Sequence, residues 1–528
     1  MKIIKYISIV MVLIIGVTQC KLPDNIDPKN PTEVPIETLF TNAEVALINQ
    51  VDDVNINRNT TRLMVQYWQQ TTYFDESRYL FQDRQIPDNY TNEFYRDALM
   101  DLKRVKELLV DWGGNTIERD NKIAIATILE VYAWQCVIDA FGDMPYTEAL
   151  QLDANSQPAY DDAASVYTSI ISELGIAISM IKPGASFGGA DVMFGGDVAS
   201  WKRFGASLQM RLGMRLADVN AGTAKATVEA GVSNGIFTDQ GQSAMMTYSG
   251  VVPHVNAIYN AFEVDGRADY LPTNTIVDIM SNLNDPRLFT YFKPVVFAYD
   301  IEENIQVTTI LPRQDPLVAQ KAILIYDNGD ILQVDLPFTV LQEDTLNTFK
   351  YNIGAIAGLD GAQVYQGFSN FAPVFFTPTF PAIVQDLVEV EFLLAEAAQR
   401  GFSVGGTAEE HYNHGITESI LYWGGTQADA DTYLARADVA YDAANWKELI
   451  GTQKWIALYN RGIEGWAEWR RLDFPVINVP EGMTANDWAV RYPYPYNEKL
   501  QNEANYDAAV SKMGGTDDRR QKIFWDVN

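Results

Sequence analysis

The segment QKWIALYNRGIEGWAEWRRLDFP, residues 453–475, is the most informative stretch of this 528-residue chain. It contains three of the eleven tryptophans, followed directly by two arginines: Trp455, Trp466, Trp469, Arg470 and Arg471. Aromatic rings beside arginines can anchor a core, with the guanidinium groups paired to carboxylates, or can form a surface that stacks ligands. The apolar run at residues 456–458 favours a buried helix, and therefore the core anchor.

The N-terminus has the layout of a bacterial export signal. Lys2 and Lys5 give a basic start, and residues 7–17 are almost entirely apolar but too short to span a bilayer comfortably. Cys20 follows closely, in the position at which bacterial lipoproteins are cleaved and acylated. We therefore expect residues 1–19 to be a signal peptide and Cys20 to carry the lipid. An ordinary secretory signal cleaved nearby is the alternative.

The rest of the chain divides into a tether and one large domain. Residues 20–38 are rich in Pro, Asn and Asp and are predicted to be the tether. Residues 39–528 are predicted to form the domain, in which no further apolar run is expected to reach the length of a membrane span. Cys136, the only other cysteine, lies in an apolar helical context and is expected to be buried and unpaired. A disulfide framework and a cysteine metal site are thereby excluded.

The charge of the chain limits its partners. The formal net charge is −30, and loss of Lys2 and Lys5 with the signal peptide makes the mature chain more acidic by two charges. Such a surface repels nucleic acid and anionic lipid headgroups. It suits a neutral or cationic ligand without identifying it.

Hydrophobic spacing predicts a mostly α fold from residue 39 onward. The predicted helices are 39–51, 61–70, 92–112, 121–141, 161–181, 200–219, 382–401, 408–423 and 443–459. Short loops join many of them, which predicts antiparallel pairs. Residues 250–380 contain many turn-forming residues and short β-like runs at 322–326, 331–334 and 374–376. We predict that this part is a long irregular, partly β excursion packed on the helices.

Six segments, in order along the chain, carry a family resemblance. They are DAFGDMPY at 139–146, DVMFGGDVASWKRFGASLQMRLGMRLAD at 191–218, NDPRL at 284–288, EVEFLLAEA at 389–397, the segment at 453–475, and the tail at 491–527 with RYPYPYNE. Together with the lipidation site they resemble the SusD/RagB family, the surface nutrient-binding lipoproteins of Bacteroidetes.

The resemblance implies both a fold and a role. The fold would consist of tetratricopeptide-like helix pairs that carry the excursion. The protein would be a lipid-anchored lid on the outer membrane that delivers a nutrient to a SusC-like TonB-dependent transporter. An oligosaccharide is the ligand implied by most of the family, and a peptide, as in RagB-like proteins, is the first alternative.

Motifs for catalysis and for metal binding are missing from the sequence. His254, His411 and His414 are the only histidines, HEXXH is absent, and we expect ordinary surface histidines and no metal. Neither a G-x-S-x-G elbow nor a credible Cys–His pair is present. We therefore expect no catalytic residue and no cofactor.

A carboxylate pair is the remaining catalytic possibility, since glycoside hydrolases need two facing carboxylates. A secreted hydrolase of this type is the second alternative. Glu389, Glu391 and Glu396 are the acids of the helix predicted to be most buried. A buried acid needs a partner, so we expect these three to form ion pairs with buried arginines. The candidate partners are Arg211, Arg215, Arg470 and Arg471.

The aromatic-rich stretch at residues 66–95 is the best candidate for a ligand site. Its candidate ligand contacts are Trp68, Tyr73, Phe74, Asp75, Arg78 and Tyr79. Sugar rings stack on aromatic faces, and their hydroxyl groups bind Asp and Arg. Tyr73 and Phe74 are adjacent, so in an extended loop only one of them can face the ligand. The alternative is that these rings fill the join between the first helices.

Overall fold

The computed structural model describes residues 34–151, 154–298, 354–359 and 368–528, together with the strand backbone within 305–352. The predicted signal peptide, Cys20 and most of the predicted tether lie outside these residues. The first helix begins at Ile36, three residues before the predicted start.

The first half of the domain consists of helices in sequence-adjacent pairs. They are α1 Ile36–Asp52, α2 Thr61–Met64, α3 Ile86–Asn92, α4 Met100–Val110, α5 Thr116–Phe141, α6 Ala163–Met180, α7 Val198–Arg215 and α8 Ala221–Asn234. A π-helical turn, Glu93–Leu99, joins α3 to α4. From α4 to α8 each helix packs against the next. Polar side chains cap the starts of α5 to α8 by accepting backbone N–H groups, and these are Asn115, Asp162, Asp197 and Asn220.

The described residues of the second half form ten further helices. They are α9 Ala257–Tyr259, α10 Asn274–Asn282, α11 Leu288–Tyr291, α12 Leu387–Gln399, α13 Ala408–Tyr422, α14 Gln427–Leu434, α15 Trp446–Ala457, α16 Gly462–Leu472, α17 Tyr496–Gln501 and α18 Glu503–Lys512. Capping boxes at Thr407 with Glu410 and at Thr426 with Asp429 fix the starts of α13 and α14. Helix α12 packs on α7, α13 and α15, so it joins the two halves.

Short antiparallel strands make up the β structure of the described residues. They are β1 Trp68–Gln70, β2 Ala244–Met246, β3 Tyr270–Pro272, β4 Phe292–Lys293, β5 Val295–Ala298, β6 Ile305–Ile310, β7 Gln320–Tyr326, β8 Ile331–Leu336, β9 Thr339–Asp344, β10 Thr348–Asn352, β11 Asn370–Phe371 and β12 Ala382–Gln385. The pairs are β1–β3, β4–β11 and β2–β12, and the two three-stranded sheets have the orders β5–β10–β9 and β6–β7–β8.

The prediction of a mostly α fold with a partly β excursion is confirmed. The runs at 322–326 and 331–334 are strands, but residues 374–376 belong to a 3₁₀ turn that starts at Pro373, which has no N–H for a ladder. The helix predicted over 61–70 is also wrong after its first turn. Gln66 has a φ of 56°, which a helix does not tolerate, and the chain continues as β1.

Two helices of the described residues, α5 and α6, are long and apolar enough to cross a membrane by length and composition. The expectation that no later apolar run reaches this length is therefore wrong. Neighbouring elements cover most of α5, and 89% of its most apolar window is buried within the protein. Cys136 lies on α5 and is buried, as expected, and burial raises the pKa of its thiol.

The segment at 453–475 is the core anchor that the sequence predicts. Its three tryptophans and two arginines are buried, on α15 and α16. Arg471 Nη1 donates to Glu396 Oε1 at 2.6 Å. Arg470 is different, because its guanidinium lies 3.6 Å from the Trp466 ring centroid and donates to the backbone carbonyl of Asp139 at 2.8 Å. The expected carboxylate partner is therefore wrong for Arg470.

Candidate ligand-binding site

A cavity of about 830 Å³ opens beside the C-terminal half of α1. Most of the remaining wall comes from residues 53–58, 70–73, 246–261 and 265–270, and the wall is completed by Arg84, Glu93 and Val192. About two thirds of the lining residues carry polar or ionic side chains, and the rest are aliphatic. Its size is within the range of pockets that hold small ligands.

The loop at 53–58 owes its shape to its own polar side chains. Asp53 Oδ1 accepts the N–H of Asn55 at 2.8 Å, and Asn55 Oδ1 accepts the N–H of Asn57 at 3.0 Å. Such side-chain bonds to nearby backbone replace the helix ladder after α1 ends at Asp52. Arg58 Nε lies 2.7 Å from Asp53 Oδ2 and closes the turn. The loop therefore presents amide and charged groups to the cavity on a fixed backbone.

The cavity wall at residues 246–261 is fixed to α1 by a buried acid, Asp52. Asp52 accepts hydrogen bonds from Tyr248 Oη at 3.3 Å and from Asn256 Nδ2 at 3.2 Å, and Arg62 Nη2 lies 3.3 Å away. Burial raises the pKa of Asp52 to about 7, an effect that Arg62 partly offsets. Because Tyr248 lines the cavity, this network holds the 246–261 wall in position.

Tyr73 is the candidate stacking ring of the cavity. Its side chain is 59% exposed, and it lines the cavity next to Thr72. The Arg84 guanidinium lies 5.5 Å from its ring centroid, and Arg84 Nε is itself 2.5 Å from Glu76 Oε1. The cation–π contact between Arg84 and Tyr73 orients the Tyr73 ring. An oriented and exposed phenol can stack on the C–H face of a sugar.

Three further predicted contacts belong to the same loop but have other surroundings. The Arg78 guanidinium lies 4.8 Å from the Phe74 ring centroid, and Arg78 Nε donates to the carbonyl of Gly358 at 2.7 Å. The backbone carbonyl of Asp75 accepts the N–H of Leu80 at 2.9 Å. Phe74, Asp75 and Arg78 are half-buried and do not line the cavity. Tyr73 and Phe74 thus face different surroundings, as their adjacency predicts.

Trp68 and Tyr79 require a correction, because both side chains are only 2% exposed. The ring centroid of Trp68 lies 4.7 Å from that of Phe371 and 5.4 Å from that of Tyr270. The ring centroid of Tyr79 lies 6.2 Å from that of Trp488. A ring enclosed by neighbours has no free face for a ligand. Both rings are buried, as the alternative interpretation requires, but they pack against β3, β11 and Trp488 and not between the first helices.

Sequence reasoning missed most of the cavity lining. The missed polar residues include Asn49, Asn55, Arg58, Tyr248, His254, Asn260, Asp265, Arg267 and Asp269. The one local signal is the run DDVNINRNT at 52–60, in which Asp or Asn occupies every second position from 53 to 59 and predicts a structured loop.

Two of the three carboxylates of α12 have the expected arginine partners, since Glu389 pairs with Arg211 and Glu396 pairs with Arg471. Glu389 Oε1 lies 2.6 Å from Arg211 Nε, which is the expected kind of pair. Glu391 binds two histidines instead, His411 Nδ1 at 2.7 Å and His414 Nδ1 at 3.1 Å. The expectation of an arginine partner is wrong for Glu391, and these histidines belong to an ionic cluster. Among the described residues, no group of three or more His, Cys, Asp or Glu side chains is placed to hold a metal.

The chain belongs to the SusD-like family. The family model described as "Starch-binding associating with outer membrane" matches residues 28–324 and 333–495, which is most of the sequence. The motifs that carry the resemblance build the core of the fold. In the NDPRL motif, for example, Arg287 Nε donates to Asp285 Oδ1 at 2.8 Å, and both residues are buried. No curated protein sequence matches the chain significantly.

Solved structures share the fold across nearly the whole chain. A chitin-binding protein is 24% identical with a TM-score of 0.72, over 94% of this chain and all of that one. A chitin-binding SusD homolog from Flavobacterium johnsoniae is 22% identical with a TM-score of 0.69, over 93% of this chain and 99% of that one. A SusD homolog from Bacteroides uniformis is 22% identical with a TM-score of 0.70, with the same coverage. At these identities the likeness establishes the fold alone.

Proposed function

We propose that this protein captures an oligosaccharide at the cell surface in the cavity beside α1. The observation that carries the proposal is the combination of an exposed, oriented Tyr73 ring with a wall of amides and hydroxyls in a cavity of about 830 Å³. A sugar offers an apolar face to the ring and hydroxyl groups to the wall. The family description and the two chitin-binding relatives support a carbohydrate ligand over a peptide.

The proposal assigns binding without catalysis. The buried carboxylates of α12 are held by arginines or histidines, so they are not free to act as acid and base. The named relatives are described by what they bind. A secreted hydrolase and a peptide-binding protein are therefore the less favoured functions.

Anchoring and delivery complete the proposal. A lipid on Cys20 would hold the protein on the outer membrane, facing the exterior, and the tether up to residue 35 would give it reach. A SusC-like TonB-dependent transporter is the proposed receiver of the glycan. Co-purification of such a transporter with the tagged, lipidated protein would support this step. Recovery of the protein alone from gently solubilised membranes that contain the transporter would contradict it.

Calorimetric titration with maltohexaose and with chitohexaose tests the capture step. Stacking of a ring on a planar ligand group contributes roughly 1–3 kcal/mol, so Tyr73→Ala should weaken binding by about that amount. Tyr496→Ala is the matched control, since this tyrosine is 55% exposed and lies outside the cavity. Chromatography of the titrated sugar should show no shortened products.

Two results would contradict the proposal. Equal glycan affinity for Tyr73→Ala and wild type would show that the glycan does not bind in this cavity. Hydrolysis of the glycan by purified wild type, absent from a mock preparation, would favour the hydrolase.

A further inference from the structure

Three arginines line the cavity, and each already has a carboxylate partner. Arg58 Nε lies 2.7 Å from Asp53 Oδ2, Arg84 Nε lies 2.5 Å from Glu76 Oε1, and Arg267 Nη1 lies 2.8 Å from Asp269 Oδ2. The Arg84 pair is the most enclosed, since its Glu76 side chain is almost completely buried. An acidic ligand could bind these arginines only by competing with a carboxylate that the fold holds in place.

Two further carboxylates face the same cavity. Glu93 is a second acid near Arg58, at 3.6 Å from its Nη1. Asp265 accepts a hydrogen bond from Asn260 Nδ2 at 3.1 Å. Among the described residues, the cavity and its supporting ion pairs therefore hold five carboxylates against three guanidinium groups. The excess charge is negative, as it is for the whole chain.

This imbalance decides which glycans can enter. A uronate or sulfate group gains little from an arginine that is already neutralised, and it is repelled by Glu93 and Asp265. An uncharged sugar avoids this cost, and its hydroxyl groups can donate to the same carboxylates. On the basis of the proposed function, we infer that the cavity selects uncharged glycans and rejects acidic ones, such as oligomers of uronic acid.

Competition between glycans of equal length tests the inference. We expect maltohexaose or chitohexaose to bind at least about tenfold more tightly than hexagalacturonate at low ionic strength. The discrimination is electrostatic, and the cavity charges are partly exposed to solvent. The ratio of neutral to acidic affinity should therefore fall as the salt concentration rises from 50 to 500 mM. A discrimination based on shape alone would not depend on salt.

A pair of double variants separates the local charge from the net charge of the protein. Glu93→Gln with Asp265→Asn removes the two excess carboxylates, and the ratio of neutral to acidic affinity should fall several-fold. Glu503→Gln with Asp507→Asn removes the same two residue types from the exposed surface of α18, outside the cavity, and should leave the ratio unchanged.

The outcomes are distinguishable. Hexagalacturonate that binds as tightly as the neutral sugars would overturn the inference while the capture function stands. The inference would also be overturned if the ratio of neutral to acidic affinity changed neither with salt nor in the cavity double variant. Failure of every glycan to bind would contradict the proposed function itself.

Discussion

Replacement of Trp466 by alanine tests the role of the segment at 453–475 most severely. The side chain is 1% exposed, its Nε1 donates to the carbonyl of Ala489 at 2.9 Å, and its ring carries the Arg470 guanidinium. Burial of a large aromatic side chain of about 150–250 Å² is worth at most about 4–6 kcal/mol. Measured Trp→Ala changes in cores cost roughly 3–5 kcal/mol, so we expect a loss of about 4 kcal/mol.

Urea unfolding followed by circular dichroism gives the free energy of unfolding for the variant and for Tyr496→Ala. The control removes an exposed tyrosine and should change stability by less than about 0.5 kcal/mol. Trp466 does not line the cavity, so glycan affinity in the folded fraction should be retained. A loss below about 1 kcal/mol, or full stability with lost affinity, would refute the core-anchor argument.

Three other predictions concern charge and anchoring. Burial lowers the pKa of His411, but hydrogen bonds to Glu391 and Gly405 outweigh this effect and leave the pKa raised. Protonated His411 therefore stabilises the folded protein. This contribution is complete below about pH 6.5 and is lost as the pH rises through the pKa of the folded state. Melting temperatures from pH 5.5 to 8.5 should therefore fall more steeply for wild type than for His411→Gln; parallel curves would contradict the linkage. Glu396→Gln removes one of the buried carboxylates that pair with Arg471 and should lower the free energy of unfolding in urea by roughly 3–5 kcal/mol. A change under about 1 kcal/mol would contradict this expectation. Cys20→Ala should move the protein from the membrane fraction to the soluble fraction, and unchanged retention with unchanged mass after delipidation would exclude the lipid.

The core was predictable because its signals are local. Helix α12 is apolar nearly all round, and every residue from Leu387 to Ala397 is buried. The segment at 453–475 combines helical spacing with large rings, and both place it inside. By contrast, the break after Met64 depends on one residue, Gln66, whose left-handed backbone no hydrophobic pattern reports.

The candidate site was less predictable because many separate stretches of chain, from α1 to residue 270, form it. Within one aromatic cluster, Trp68 pairs in β1 and is buried, whereas Tyr73 lies five residues later in a loop and is exposed. Composition is the same for both rings, and only tertiary contacts separate them. The partners of Glu391 illustrate the same limit, since the histidines that bind it lie about twenty residues away on α13.

A crystal structure of the protein with a bound neutral hexasaccharide would show directly whether the cavity beside α1 is the glycan site. We expect sugar density in the cavity between α1 and the 246–261 wall, with one ring stacked on Tyr73 and hydroxyl groups within hydrogen-bond distance of the polar lining. Density for the glycan at another surface of the domain, with this cavity left empty, would contradict it.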